Sequence, residues 1–190
     1  MRGVWKSVLA FAAVTAISVP VAHAQGGVRF LIGGGSTIAL GNFGDGFTNG
    51  PHGVVGLSFV PSGFPIGIRI DGMYHRVSAD DAVFPGVDVD AQIINGAVNG
   101  VFSFASAPET KVRPYLIAGV GLYNQKFVGD DIGVGFDNSE TDFGINGGAG
   151  FDFGLSDNLG IFLEGRFHMI FSSGEKTNML PISLGARIGT

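Results

Sequence analysis

Residues 141–171 read TDFGINGGAGFDFGLSDNLGIFLEGRFHMIF, and apolar and polar positions alternate through most of this stretch. From residue 143 to residue 155 every second residue is apolar or glycine, and the residues between them are Asn, Asp or Gly. Ser156, Asp157 and Asn158 supply turn residues, after which the alternation resumes. A period of two over this length is typical of β-strands with one apolar and one polar face. The stretch is therefore predicted to form a β-hairpin.

The second strand of this hairpin has a strongly polar face. Its apolar positions, which end at Phe171, alternate with Glu164, Arg166 and His168. A water-soluble sheet would bury its apolar face, but charges at this density suit an enclosed polar interior. We therefore predict that the hairpin belongs to a transmembrane β-barrel, with lipid outside and a polar lumen inside.

The N-terminus has the pattern of a secretory signal peptide. Arg2 and Lys6 precede an apolar run at residues 8–19, and Ala22, His23 and Ala24 form a small-x-small cleavage site. The run is shorter than the roughly 20 residues of a membrane-spanning helix. The predicted domains are a cleaved signal peptide at 1–24 and an outer-membrane β-barrel domain at 25–190. The chain has no Cys, so it forms no disulfide.

The predicted mature chain is acidic. Without Arg2 and Lys6, the 11 basic residues fall to 9 against 16 acidic ones, a formal net charge of −7. An acidic chain without basic clusters argues against nucleic acid as a partner. The 33 Gly are spread through the strand-like segments, as suits barrel strands in which side chains of neighbouring strands approach closely.

Eight strand-like segments follow one another, and their connections alternate in length. The predicted strands are residues 28–39, 53–60, 65–77, 91–104, 113–127, 141–155, 159–171 and 179–189. Connections 41–50, 78–90, 128–140 and 172–178 are mostly long, whereas 61–64, 105–112 and 156–158 are short or compact. Long outer loops and short periplasmic turns are typical of outer-membrane barrels. We therefore predict an all-β fold, an eight-stranded antiparallel up-and-down transmembrane β-barrel with both termini on the periplasmic side.

The fifth predicted strand is apolar on both faces, unlike the others. We assign Leu116, Ala118, Val120 and Leu122 to its lipid-facing side. In the third strand, Arg69, Asp71 and His75 are assigned to the lumen, and in the fourth strand Asn95, Asn99 and Ser103.

Four segments resemble a known family. They are RPYLIAGVGLY (113–123), TDFGINGGAG (141–150), LSDNLGIFLEGRFH (155–168) and LPISLGARI (180–188). These residues are similar to the outer-membrane protein β-barrel family of small, porin-like OmpA/OmpX-type barrels. The resemblance implies location in the cell outer membrane. It also implies outer-membrane lipid, lipopolysaccharide and the insertion machinery as partners, and a monomeric barrel. Such barrels share architecture more than activity.

Charged residues on the lumen side form the candidate functional set. They are Arg29, Arg69, Asp71, Asp142, Asp152, Glu164, Arg166 and Arg187. The interior of an eight-stranded barrel is about wide enough to be filled by its own side chains. Charges there must pair, because an unpaired buried ion costs several kcal/mol. We predict a salt-bridge network that plugs the lumen; the alternative is a narrow pore for small solutes whose plug rearranges.

A second alternative is a membrane-embedded hydrolase. Lipid A deacylase barrels use a Ser, a His and an acid near the outer surface, and here His168 precedes Ser172, Ser173 and Glu175. In those enzymes the Ser follows the His by two residues, so that both share a face, whereas Ser172 follows His168 by four. We therefore predict no catalytic residues, and read His168 and His75 as lumen histidines.

Two predicted loops are acidic. One carries Asp80, Asp81, Asp88 and Asp90, and the other carries Asp130, Asp131, Asp137 and Glu140. Neither has the spacing of a calcium-binding loop, so we predict solvated acidic loops, with weak and unspecific Ca²⁺ association as the alternative. No metal site and no cofactor is predicted. The sequence favours a structural, envelope-stabilising or surface-interaction role.

Overall fold

The computed structural model describes residues 26–61, 65–86, 89–104, 111–129, 139–172 and 176–189. The predicted signal peptide lies outside the described residues. The strands in chain order are β1 (Gly26–Leu40), β2 (Gly50–Pro61), β3 (Ile66–Ser78), β4 (Val89–Ser103), β5 (Val112–Gly129), β6 (Ser139–Gly154), β7 (Leu159–Phe171) and β8 (Lys176–Gly189). A short helix, α1 (Asn42–Gly46), follows β1.

The eight strands form a closed antiparallel barrel. Each strand pairs with its neighbours in the chain, and β8 pairs with β1. A row of backbone partners that starts at Arg29 crosses all the strands and returns to β1 at Ala39, ten residues further along. This stagger tilts the strands against the barrel axis. The predicted fold class is confirmed.

Two strand starts differ from the prediction by three residues, and one predicted connection contains a helix. β2 begins at Gly50 and β8 at Lys176, each three residues before the predicted start. Backbone pairing extends beyond the residues in which apolar and polar positions alternate regularly. At the start of β2, for example, Gly50 pairs with Thr37 of β1. Predicted connection 41–50 contains α1, where Phe43 and Phe47 lie one helical turn apart. Among the described residues, no helix is long and apolar enough to span a membrane.

The two faces of the strands are as predicted. In β5, Leu116, Ala118, Val120 and Leu122 point outward, whereas Tyr115, Ile117 and Tyr123 are buried inside. In β7, Phe167 is exposed on the outer surface, whereas Glu164, Arg166 and His168 are at most 2% exposed. The outer surface is therefore the apolar one, as a lipid environment requires.

The barrel interior contains apolar side chains as well as polar ones. They form three clusters: Leu31, Val54, Met73 and Phe162; Ile93, Tyr123, Ile170 and Met179, on which Phe43 packs; and Val101, Tyr115 and Ile117. The polar side chains lie between these clusters. Apolar and polar side chains therefore both project into the lumen.

Interior glycines make room for the largest of these side chains. A Cβ atom added to Gly150 would lie 2.5 Å from the hydroxyl of Tyr115, and one added to Gly144 would lie 2.6 Å from the ring of Tyr123. The ring of each tyrosine occupies the space above its glycine that a side chain would fill, so the ring lies against the backbone of β6. The glycines of β6 therefore define where β5 can place its two inward tyrosines.

We expect Gly150→Ala to destabilise the barrel by about 1–3 kcal/mol, because the new methyl group overlaps Tyr115. Gly165→Ala is the matched control, because no atom lies within 4 Å of a Cβ at that outward position. Urea unfolding of the two variants in lipid vesicles measures the difference. Equal stability of both variants would contradict this account of the interior glycines.

Candidate functional site in the barrel lumen

Two opposite strands place four charged side chains in the middle of the lumen. Arg69 and Asp71 are two residues apart on β3, and Glu164 and Arg166 are two residues apart on β7. Because alternate residues of a strand share a face, both members of each pair project inward. β3 and β7 lie on opposite sides of the eight-stranded barrel, so the side chains meet across the lumen.

These four side chains, here called the charge ring, alternate in sign around a closed circuit. Arg69 Nε is 2.9 Å from Asp71 Oδ2, and Arg69 Nη2 is 2.7 Å from Glu164 Oε1. Arg166 Nη1 is 3.1 Å from Asp71 Oδ2, and Arg166 Nε is 2.8 Å from Glu164 Oε1. The side chains are 1–4% exposed. Each charge thus contacts two of opposite sign, which offsets the cost of burying it.

Neutral groups complete the coordination of the charge ring. The Tyr115 hydroxyl donates to Glu164 Oε2 at 2.8 Å, and Asn99 Nδ2 donates to Asp71 Oδ2 at 3.2 Å. Sequence analysis placed Asn99 in the lumen but missed Tyr115, because β5 is apolar on both faces. A phenol on the inner face of such a strand is the signal that identifies a hydrogen-bond donor to a lumen carboxylate.

The other four residues of the predicted lumen set lie apart from the charge ring. Arg187 Nε is 2.6 Å from Asp152 Oδ2, a separate ion pair nearer the chain termini. Asp142 accepts a hydrogen bond from Gln125 Nε2 at 3.1 Å near the loop end. The buried Nε of Arg29 makes no hydrogen bond to another described residue. The eight residues therefore form one four-membered ring and one separate ion pair, and Arg29 and Asp142 belong to neither.

A hydrogen-bonded chain of neutral groups lies on the loop side of the charge ring. His52 Nε2 is 2.8 Å from Ser183 Oγ, and His52 Nδ1 is 3.1 Å from Thr37 Oγ1. Thr37 Oγ1 is also 2.7 Å from His75 Nδ1, and His75 Nε2 is 3.1 Å from Asn95 Oδ1. The chain joins five adjacent strands across the β8–β1 closure.

With neutral imidazoles, the acceptor at one end of this chain sets the direction of every hydrogen bond in it. Asn95 Oδ1 can only accept, so His75 donates from Nε2 and accepts from the Thr37 hydroxyl at Nδ1. Thr37 in turn accepts from His52 Nδ1, and His52 Nε2 accepts from the Ser183 hydroxyl. This arrangement gives each ring nitrogen of His52 and His75 a partner without a charge on either imidazole.

The predicted hydrolase residues are not brought together within the described part of the chain. His168 is fully buried, and its Nδ1 is 2.9 Å from the Tyr123 hydroxyl. The Ser172 hydroxyl instead accepts from Gln125 Nε2 at 2.9 Å. Ser173 and Glu175 lie outside the described residues. The Ser183–His52 pair, which sequence analysis missed, has Thr37 where a catalytic triad has an orienting carboxylate.

The described loop carboxylates make local contacts. Asp80 Oδ1 accepts from the Ala82 amide at 2.9 Å. Asp90 pairs with Arg76 and accepts from the Ser78 hydroxyl at 2.6 Å. Among described residues, no group of three His or carboxylate side chains is arranged to hold a metal ion. The other predicted loop acids are exposed or lie outside the described residues: Asp81 and Glu140 are exposed, whereas Asp88, Asp130, Asp131 and Asp137 are outside.

Helix α1 covers the mouth of the barrel at the loop end. Phe43 packs on the cluster of Ile93, Tyr123, Ile170 and Met179, and its ring stacks on Phe47 at 4.9 Å between centroids. Backbone hydrogen bonds attach this segment to the β3–β4 connection: the Thr48 amide donates to Ser78 O, and the Asp80 amide donates to Gly46 O. These hydrogen bonds and the packing of Phe43 hold helix α1 over the loop end of the lumen.

The family model of the outer membrane protein β-barrel domain matches residues 9–187. The chain belongs to this family. No curated protein matches it in sequence. Among solved structures, Neisserial surface protein A (NspA) is 18% identical with a TM-score of 0.61, covering 86% of this chain and 96% of that one. Ail, the attachment invasion locus protein of Yersinia pestis, is 17% identical with a TM-score of 0.55, covering 87% and 99%.

A third similar structure comes from Thermus thermophilus. A major outer membrane protein from Thermus thermophilus is 15% identical with a TM-score of 0.56, covering 86% of this chain and 99% of that one. At these identities the likeness shows the fold. Family membership and these outer-membrane neighbours place the protein in the cell outer membrane, in an environment of lipid and lipopolysaccharide.

We expect Tyr115→Phe to destabilise the barrel by about 1.5–3 kcal/mol, because it removes a donor to a buried, charged acceptor. Tyr74→Phe removes a hydroxyl from an outward tyrosine that is 42% exposed, and should leave stability unchanged. Urea unfolding in vesicles compares the two. If Tyr74→Phe destabilises the barrel as much as Tyr115→Phe does, the hydrogen bond to Glu164 does not explain the loss of stability.

Proposed function

We propose that this protein is a monomeric outer-membrane barrel with a structural, envelope-stabilising or surface-interaction role, whose lumen is plugged by a salt-bridge network. On this proposal residues 1–24 are a cleaved signal peptide, and the outer-membrane insertion machinery assembles the mature chain. The observation that carries the proposal is the charge ring, whose four side chains join opposite walls of the lumen and are almost fully buried.

Two further layers support a closed lumen. On the loop side the neutral histidine–hydroxyl chain fills the next level, and above it Phe43 of α1 packs on an apolar cluster. A solute entering from the loop end would have to displace an apolar side chain, then break neutral hydrogen bonds, then separate paired charges. Each step is unfavourable, so the arrangement favours a closed lumen over a narrow pore.

The charge of the loop end bears on a surface-interaction role. Ail has been crystallised in complex with the heparin analogue sucrose octasulfate, a polyanion. Here the described loops expose Asp45 and Asp81, and Asp80 is half-buried beside them. Acidic loops repel a polyanion, so we propose that any surface partner of this protein is uncharged or cationic.

The test is ion conductance of the refolded protein in a planar bilayer near neutral pH. The unmodified barrel should show no sustained channels, because the charge ring is complete. Glu164→Gln removes one carboxylate and leaves Arg69 and Arg166 each short of an anionic partner, so it should produce conductance. Asp157→Asn removes the same charge from an exposed turn and should stay silent.

Two results would oppose the closed-lumen proposal. Sustained channels in the unmodified protein would support the narrow-pore alternative. Silence of Glu164→Gln in a barrel shown to be folded would mean that the charge ring is not what blocks the lumen. Tyr115→Phe keeps all four charges, so it should stay as silent as the unmodified barrel.

We also propose that the protein is not an enzyme, and ester hydrolysis in vesicles containing lipid A tests this. The buried position of His168 and its contact with Tyr123 support the proposal. No hydrolysis above the rate of empty vesicles is expected. Hydrolysis that His168→Ala abolishes would favour the hydrolase alternative instead.

A further inference from the structure

Three of the four histidines of the chain lie in one layer of the lumen, here called the histidine layer: His52 on β2, His75 on β3 and His168 on β7. Their side chains are at most 7% exposed. The ring centroids of His52 and His75 are 5.4 Å apart, and those of His75 and His168 are 6.2 Å apart. Neither a catalytic role nor the charge ring accounts for this concentration of titratable groups.

The hydrogen bonds of the histidine layer use neutral imidazoles. His52 and His75 each accept a hydrogen bond from a hydroxyl at one ring nitrogen and donate a hydrogen bond from the other. A proton added to either ring must reverse a hydroxyl of Thr37 or Ser183. The hydrogen bonds of His52 and His75 are therefore matched without charge, and a charge on either ring disrupts that match.

The charged groups around the histidine layer do not favour a further positive charge. No described carboxylate is hydrogen-bonded to any of the three imidazoles. Arg166 of β7 is two residues from His168, and Asp71 and Glu164, the nearest carboxylates along β3 and β7, are shared with the guanidinium groups of the charge ring. An imidazolium here would adjoin an existing cation in a closed interior.

The remaining strands add few titratable groups at this level. β1, β4 and β8 contribute the neutral Thr37, Asn95 and Ser183. β5 contributes the Tyr123 phenol. β6 contributes Asp142, which lies at the rim and is bonded to Gln125, and α1 carries Asp45, which is exposed to solvent.

The cover of the barrel mouth rests directly on the histidine layer. Tyr123 belongs to both: its ring lies in the cluster on which Phe43 packs, and its hydroxyl contacts His168 Nδ1. Met179 and Ile93 also belong to this cluster. Met179 is the backbone partner of His168, and Ile93 is the backbone partner of His75. Phe43 and this apolar cluster therefore lie next to the histidine layer on its loop side.

We propose that the histidine layer is an acid sensor: its protonation displaces Phe43 from the barrel mouth and hydrates the loop-end part of the lumen. An imidazole in water takes up a proton near pH 6.5, so hydration and protonation favour each other as the pH falls through about 6. The charge ring lies below the layer and keeps its own pairs. The proposal extends the closed-lumen function, and conductance near neutral pH tests that function separately.

The experiment places a fluorescent reporter in the cover. The single Trp of the chain is Trp5, within the predicted signal peptide, so Phe43→Trp in a chain that starts at Gln25 gives one reporter. Acrylamide quenching and the emission maximum are measured in lipid vesicles at about pH 7.5 and about pH 4.5. We expect low quenching at the higher pH, and a red shift with a several-fold rise in the quenching constant at the lower pH. Phe47→Trp, beside Phe43, is the second reporter.

Substitution of the sensor decides the cause. With His52→Gln, His75→Gln and His168→Gln together, the reporter should stay protected at both pH values. Asp45→Asn, which removes the carboxylate of α1, should respond as the parent does. A response that persists without the three imidazoles, or is lost in Asp45→Asn, would overturn the proposal, as would absence of a response from both reporters.

If the triple variant does not fold, the single variants replace it. A reduced or shifted response in any of them supports the sensor, and an unchanged response in all three overturns it.

Discussion

The burial of polar side chains in a narrow closed barrel is the constraint on which the rest of this structure depends. An eight-stranded barrel leaves little room for bulk water, so inward polar groups must satisfy one another. The charge ring meets this demand with two cations and two anions that each contact both partners of opposite sign. Removing any one of the four leaves two charges short of a partner, and this makes the ring a unit rather than a sum of pairs.

The geometry of the sheet explains why such a unit forms at the centre. A two-residue spacing puts Arg69 beside Asp71 on one wall and Glu164 beside Arg166 on the opposite wall. Glycines on β6 let Tyr115 lie flat on the sheet, with its hydroxyl on Glu164. Small residues on β6 thus let the Tyr115 hydroxyl of β5 reach Glu164. The same residues therefore determine the packing of the interior and the hydrogen bonding of a buried carboxylate.

The fold and the two faces of the strands could be predicted from the sequence because both follow from a local period of two. The inward direction of Arg69, Asp71, Glu164 and Arg166 was likewise local information. Local information does not show which of these charges meet. That depends on the register of the strands and on the stagger of ten residues around the barrel, which decide which residues of opposite strands lie at the same height. Arg187 and Asp152 lie on inward faces by the same alternation, yet they form a separate pair at another level. The apolar part of the interior was missed because Phe162 and Met179 are inward residues that adjoin outward apolar residues, so the alternation is interrupted at these positions and does not show their face.

Polarity inside this barrel therefore takes two forms that need different conditions. The charge ring is balanced by its own opposite charges, and its contacts need no particular tautomer. The histidine–hydroxyl chain is balanced by the direction of its hydrogen bonds, with the Ser183 hydroxyl as the donor at one end and Asn95 Oδ1 as the acceptor at the other. A balance of charges withstands a change in pH as long as its carboxylates stay ionised, whereas a balance of proton directions is lost when one proton is added. The loop-end layer, lying under an apolar cover rather than between charged walls, is consequently the part of the lumen whose packing depends on the acidity of the medium.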